Sequence, residues 1–475
     1  MPKIVNELMK PFLKYYALSF LGEKNIPGKQ KQLLRGKIRK SSKTNLGRKL
    51  GLRPDSKITE TPLTFYSFYK PFFENPQEGD FIYPVSDYNK VYTSGTMSKP
   101  KVYMLPKKGL WENLKKTGFS FLFLCTHDGE KITYEVGDVI YQNTPGGQFI
   151  SAFFNDVYDK KEMGWNIHVP DPELPYQMKV DYFVENYQNI DVAYMTVTSL
   201  LDQVYPRIGH PFKLKGFFTQ DRPASVLKEK IREVAGTYPK TIFGSTETMF
   251  SGLPSIEHPG GFFFDWRVIW PEFLPERDAL RDDIGILNPP VETIPLMEVE
   301  VGKRYQLIAT PYLNDLMRYV MPDIVECVDK GDETLGCMSP VFMYYSRCDN
   351  LLVLHNFTRI SEEELIQILA KAGIPFVDFT ARRELGESHE YVRLYIELSS
   401  KMAEDDLVNR IHSELLNFDK DWRDLTNWMN YVPLKVTALP RGSFNRYLQK
   451  KEGLPKIPRI EMREELLKEL LTVQA

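Results

Sequence analysis

The sequence predicts an α/β protein with two domains: a large N-terminal domain of mixed and parallel sheets with helices, and a small C-terminal α+β domain. Three observations predict this. Short apolar runs alternate with helical stretches from about residue 91 to 345. The pattern changes after that, to single strands separated by amphipathic helices. The length, 475 residues, exceeds one core of ordinary size. Hydrophobic residues make up 42% and charged residues 26%, the balance of a packed rather than disordered chain.

The first helix is read within MPKIVNELMKPFLKYYALSFLGEK. Ile4, Leu8, Phe12 and Tyr15 recur at helical spacing and are expected to pack on the main body, with binding to a membrane surface as the alternative. Lys3, Glu7, Lys10 and Lys14 interrupt the apolar run, so it is not a membrane span. Residues 1–90 read as mostly helical, then irregular around Pro62, Tyr66, Tyr69 and Pro71. Strands follow at VGDVIYQN (136–143), VAYMTV (192–197), LKGFFTQ (214–220), KTIFGSTE (240–247) and RYQLIATPY (304–312). RPASVLKEKIREVAG (222–236) reads as a helix with Pro223 near its start and Gly236 at its end. Past a junction near 346–352 come a helix at 360–373, a strand at 390–400 and a helix at 402–418. The expected domains are therefore 1–345 and 346–475.

Charge and cysteine usage exclude several classes. Lys and Arg total 61 against 63 Asp and Glu, which removes bulk attraction to nucleic acid or anionic lipid as the main activity and leaves room only for a local patch. Cys125, Cys327, Cys337 and Cys348 have no C-x-x-C spacing, so neither a zinc site nor a disulfide scaffold is expected. With no span in sight, the expected location is the cytoplasm.

The chemistry concentrates in Thr93-Ser94-Gly95-Thr96-Met97-Ser98-Lys99-Pro100-Lys101. Hydroxyls, a glycine and lysines offer N–H, O–H and ammonium groups to phosphate oxygens, although a solvated polar turn has the same composition. No G-x-x-x-x-G-K-[ST] or G-x-G-x-x-G occurs, which argues against a phosphate-loop kinase or a dinucleotide fold. This loop resembles the phosphate loop of the adenylate-forming superfamily of acyl-CoA synthetases, adenylation domains and luciferases, usually TSGTTGKPK; Met97 and Ser98 depart from it.

Four further segments follow in that superfamily's order. Ile242-Phe243-Gly244-Ser245-Thr246-Glu247 resembles Y-G-S-T-E. Arg318-Tyr319-Val320-Met321-Pro322-Asp323 resembles R-Y-R-T-G-D, with Pro322 for glycine. Ser346-Arg347-Cys348-Asp349 resembles the G-R-x-D hinge. Leu439 to Lys450 resembles the terminal lysine motif, with Lys451 one residue away from the assigned position. PLTFYSFYKPFFENPQEGDF (62–81) and HPGGFFFDWRVIWPEFLP (258–275) look closest to phenylacetate-CoA ligase-like enzymes and the plant acyl-amido synthetases.

The resemblance implies a large N-terminal domain binding ATP and the acyl group, and a mobile C-terminal lid. It implies roles residue by residue. Thr93, Ser94, Gly95, Thr96 and Lys101 would cradle pyrophosphate. Thr219, Gln220 and Asp221 would line the adenine pocket, and Phe243, Gly244 and Ser245 would bind adenine and its surroundings. Thr246 and Lys450 would act at the α-phosphate, and Glu247 would hold magnesium. Asp323 would bind the ribose, Arg347 would approach the nucleotide, and Asp349 would be the pivot. Phe149 and Phe153 could wall the acyl pocket, though aromatic clusters also serve as plain core. The implied reaction activates a small carboxylic acid, aromatic ones included, with ATP and magnesium, then transfers it to coenzyme A. Transfer to an amino acid is the alternative, and a non-catalytic nucleotide sensor is the reading from another class. Against coenzyme A, His355-Asn356 stand where relatives carry Arg-Gly.

Overall fold

A computed structural model describes residues 3–92, 101–143, 166–197, 199–219, 224–225, 227–280, 283–347, 351–354, 358–385, 390–419, 422–423, 426, 431–451 and 456–472. These form two compact units that divide at residues 345 and 346.

The first unit opens with helices α1 (Lys3–Leu18) and α2 (Ile26–Ser41). Asn25 starts α2 by accepting the Gly28 N–H on its side chain, with Pro27 in the first turn. The expected packing face of α1 is corrected here. Leu8, Phe12 and Tyr15 are exposed, whereas Asn6 and Ala17 are fully buried. The small Ala17 lets the helix lie close on Phe119–Cys125, where the Ser120 hydroxyl donates to the Ala17 carbonyl at 2.7 Å. A face with large side chains would hold the two backbones apart.

A five-stranded sheet follows, all parallel, in the order Ile167–Val169, Val139–Gln142, Val192–Tyr194, Gly216–Thr219, Pro239–Thr241. In chain order this is 2-1-3-4-5, a doubly wound arrangement of the kind that generally binds ligands beyond the strands' carboxyl ends. Within the expected helix at 222–236, the described helix spans Lys228–Ala235. It closes on Gly236 at φ 72°, the left-handed conformation that glycine adopts without penalty.

The sequence from 252 to 347 then builds a second, different sheet. Gly252–Pro254, Gly261–Phe264, Val341–Arg347, Tyr319–Asp329, Arg304–Pro311, Ile269–Pro275 and Ile294–Pro295 lie side by side in that order. The register is antiparallel between 252–254 and 261–264, 304–311 and 319–329, and 269–275 and 304–311. Its core is aromatic: Phe243, Phe262, Phe264, Phe273 and Phe342 pack ring on ring at 5.0–6.3 Å.

The second unit pairs Leu351–Leu354 with Thr358–Ser361, then runs the helix Glu362–Lys371, whose Ser361 and Glu364 form a reciprocal cap. Its sheet holds Phe376–Leu385, Glu390–Leu398 and Leu434–Leu439, the first pair antiparallel and the second parallel. Among the described residues, no helix is long and apolar enough to cross a membrane.

Candidate nucleotide site

The hydroxyl-rich loop joins the two strands of a hairpin, Tyr88–Tyr92 and Val102–Pro106, with Tyr92 opposite Val102. Thr93, Ser94, Gly95 and Thr96 lie outside the described residues. At the loop's exit, the Lys101 ammonium stands 5.0 Å from the centre of the Tyr66 ring, and the Val102 N–H donates to the Tyr66 hydroxyl at 2.9 Å. The next residue, Tyr103, reaches the second motif directly. Its hydroxyl donates to Glu247 Oε1 at 2.8 Å and lies 2.8 Å from the Tyr319 hydroxyl. Burial, then the Glu247 charge, pushes both phenols well above their ordinary range, so both stay protonated donors.

Glu247 is placed by a tight hairpin. Gly244–Ser245 pairs with Met249–Phe250, leaving Thr246-Glu247-Thr248 as the three-residue tip. Met249 takes φ 59°, the left-handed residue that such a loop needs and that a bulky side chain adopts only under constraint. Ser245 Oγ accepts the Thr248 N–H at 3.1 Å, and Asn314 Nδ2 donates to the Glu247 carbonyl at 2.7 Å. Phe243 is only 6% exposed and stacks on Phe262 at 5.0 Å, so any aromatic face left for a base is the one turned away from Phe262. Gly252 permits this packing: a Cβ there would meet the Phe243 Cβ at 2.4 Å.

Thr219, expected to line the adenine pocket, ends its strand beside Thr241, one residue before the second motif begins. Gln220 and Asp221 are outside the described residues. Asp323 sits on a bulge. Gln306 pairs with Ile324 and Ile308 with Val320, so Met321-Pro322-Asp323 opposes Leu307 alone. A bulge of this kind re-aims side chains and needs no ladder donor, which suits Pro322. Arg318, the first residue of the same segment, is a buried anchor. Its guanidinium donates to Glu272 at 3.0 and 3.2 Å and to the Thr61 carbonyl at 2.8 Å.

Phe149, Phe153, Asp349, His355 and Asn356 lie outside the described residues, and the Arg347 side chain is not described. In the second unit, Lys450 closes the helix Ser443–Gln449 and is exposed. Lys451 is tied to Glu469 and lies 4.9 Å from the Tyr447 ring centre. Glu397 holds the start of that helix, accepting the Gly442 and Phe444 N–H groups at 2.5 and 3.0 Å.

Motif reading missed Tyr103 and Asn314. Both flank quoted segments, and neither carries a charge that would mark it. Among the described residues no three Asp, Glu, His or Cys side chains could hold a metal on their own. A lone carboxylate still fits magnesium, which takes one or two carboxylates and fills its remaining positions with phosphate oxygens and water.

Residues 263–334 match the model of the GH3 family central domain. No curated protein matches the chain by sequence. Among solved structures, the GH3.15 acyl acid amido synthetase superposes with a TM-score of 0.72 at 14% identity, covering 97% of this chain and 97% of its own. A 2-hydroxyisobutyryl-CoA ligase in complex with 2-HIB-AMP gives 0.64 at 13% identity, covering 93% and 91%. ATP-bound MatB from Rhodopseudomonas palustris gives 0.52 at 13% identity, covering 83% and 69%. The chain shares the fold of these solved structures, and its segment 263–334 is similar to the GH3 family central domain.

Proposed function

We propose that this chain is an AMP-forming ligase that activates a small carboxylic acid with ATP and passes the acyl group to an amino acid. The observation that carries the reading is the Tyr103–Glu247 hydrogen bond, which ties the exit of the hydroxyl-rich loop to the carboxylate at the hairpin tip. In the first step a substrate carboxylate oxygen attacks the α-phosphorus of ATP, the bond to the bridging oxygen breaks, and pyrophosphate leaves. The protein supplies alignment and charge neutralisation rather than a nucleophile. Thr93, Ser94, Gly95, Thr96 and Lys101 hold the departing phosphates, and Thr246 and Lys450 contact the α-phosphate. Glu247 would hold magnesium, which offsets phosphate charge when bound. Asp323 accepts from the ribose, Thr219, Gln220 and Asp221 line the base pocket with Phe243, and Arg347 approaches the nucleotide. Phe149 and Phe153 wall the acyl site. In the second step the amine nitrogen attacks the acyl carbon, AMP leaves with the bonding electrons, and the amine proton passes to solvent.

The amino acid replaces coenzyme A as the favoured acceptor because of two findings. The matched central segment is of GH3 type, and the amido synthetase superposes better than the CoA ligase. Coenzyme A is the second reading, supported by the likeness to the 2-hydroxyisobutyryl-CoA ligase. The sensor reading loses one support, since Pro322 sits in a bulge that tolerates it. The hinge role of Asp349, the lid role of residues 346–475 and a cytoplasmic location complete the proposal. Buried, unpaired Cys125, Cys327 and Cys337 support a reducing compartment.

The test supplies acyl-adenylate, then each amino acid or coenzyme A, and identifies products by mass. Amide product supports the reading. Thioester with no amide overturns the acceptor assignment and leaves adenylation standing.

A further inference from the structure

Five of the twelve large apolar side chains that stand exposed among the described residues lie within nine residues of α1: Leu8, Met9, Phe12, Tyr15 and Tyr16. Leu8 is 77% exposed, Phe12 66% and Tyr15 73%. At about 100° per residue they fall on one face, opposite the buried Asn6 and Ala17. A cluster of this density on a surface helix marks a contact.

Charge says what that contact is. Residues 1–53 carry fourteen Lys or Arg against two Asp or Glu, whereas the remainder carries 47 against 61. α2 buries Ile26, Gln30, Leu34, Lys37, Ile38 and Ser41, and exposes Lys29, Lys31, Arg35, Arg39 and Lys40. The end of α1 and the start of α2 meet in one apolar cluster with Phe20, Leu21 and Ile26. An apolar, tyrosine-bearing face on one helix, followed directly by a helix with a basic exposed face, is the chemistry that seats in the headgroup region of an anionic bilayer. Pairing with a second copy through the same surface would bring two strongly basic segments together.

We propose that α1 and α2 form a docking surface for an anionic lipid bilayer, with α1 lying in the interface and α2 facing lipid phosphates. The test sediments the full chain with vesicles of pure phosphatidylcholine, or of 70% phosphatidylcholine and 30% phosphatidylserine. The chain is expected to sediment with the second kind only and to be released by 0.5 M salt. Phe12→Glu and the pair Arg35→Glu with Arg39→Glu are each expected to weaken binding about tenfold or more. These side chains are solvent-exposed, so an unchanged unfolding temperature is expected and certifies the variants. Absence of binding to both vesicle kinds overturns the proposal, as does equal binding to both. A dimer in sedimentation velocity that Phe12→Glu dissolves, without vesicle binding, assigns the face to a second copy instead. RNA binding untouched by Phe12→Glu, again without vesicle binding, overturns it too.

Discussion

Tyr103→Phe isolates the contact on which the site reading rests. The substitution removes one oxygen and keeps the buried ring. That oxygen donates to Glu247 Oε1 and meets the Tyr319 hydroxyl, each at 2.8 Å. A hydrogen bond to a charged group contributes about 1.5–3 kcal/mol. If the bond aims the carboxylate, kcat/KM for acid-dependent pyrophosphate release falls about ten- to hundredfold. Added magnesium recovers part of the loss, because a misaimed ligand weakens the metal more than the chemistry. Stability falls as well, by about 1–3 kcal/mol, because the Tyr319 hydroxyl loses its buried partner. Tyr319→Phe is the control. It leaves Tyr103 donating to Glu247, so stability drops by about 0.5–1.5 kcal/mol while the rate stays near that of the parent. Pyrophosphate release across a magnesium series, with urea unfolding in parallel, separates the two. A Tyr103→Phe enzyme that is less stable yet fully active would show that the hydroxyl only packs. Equal rates for the two variants would refute the directional argument.

Other outcomes follow from the same geometry. Glu272→Ala strands the Arg318 guanidinium, which is 0% exposed, and is expected to cost about 3–5 kcal/mol in urea unfolding; a loss below about 1 kcal/mol would mean that water reaches the guanidinium. Lys450→Ala is expected to abolish pyrophosphate release, while Lys451→Ala, which breaks the partly exposed pair with Glu469 and the contact with the Tyr447 ring, changes stability by less than about 1 kcal/mol and leaves adenylation intact. The reverse pattern would move the terminal motif by one residue. Burial pushes His168 down to about 4 from an ordinary 6.5. Between those values the unfolded chain holds the extra proton, so stability is lost as pH falls from 6.5 towards 4, by about 1–3 kcal/mol. Chemical denaturation at pH 7 and pH 4.5 should show that slope, flattened in His168→Gln; a parent and variant with the same slope would assign the pH dependence elsewhere.

The parts of the fold that the sequence announces are those where one local rule acts alone. Gly236 ends a helix because only the left-handed conformation closes it there. The run 304–312 becomes a strand because seven of the eight residues in Arg304–Pro311 are buried. Ser361 and Glu364 start the helix at 362 by capping each other. What could not be read depends on partners distant in sequence. The face that α1 buries is chosen by Ser120 and its neighbours, about a hundred residues on, and overrides the apolar periodicity. The antiparallel sheet from 252 to 347 has the same apolar runs as a parallel one, and run length does not encode direction. At the site, Glu247 and Asp323 stand out as carboxylates in recognisable order. Tyr103 and Asn314 do not, because a neutral donor gains its role only when folding brings an acceptor to 2.8 and 2.7 Å respectively.

Acid-dependent pyrophosphate release tests adenylation most directly. The intact chain is incubated with ATP, magnesium and a panel of small carboxylic acids, aromatic and aliphatic, and pyrophosphate and AMP are measured. The account predicts that at least one acid triggers release of both, that the acyl-adenylate is found by mass when no acceptor is present, and that Lys450→Ala and Asp323→Ala reduce the release. ATP binding by calorimetry with no pyrophosphate from any acid in the panel would contradict it and leave a nucleotide-binding protein without ligase chemistry.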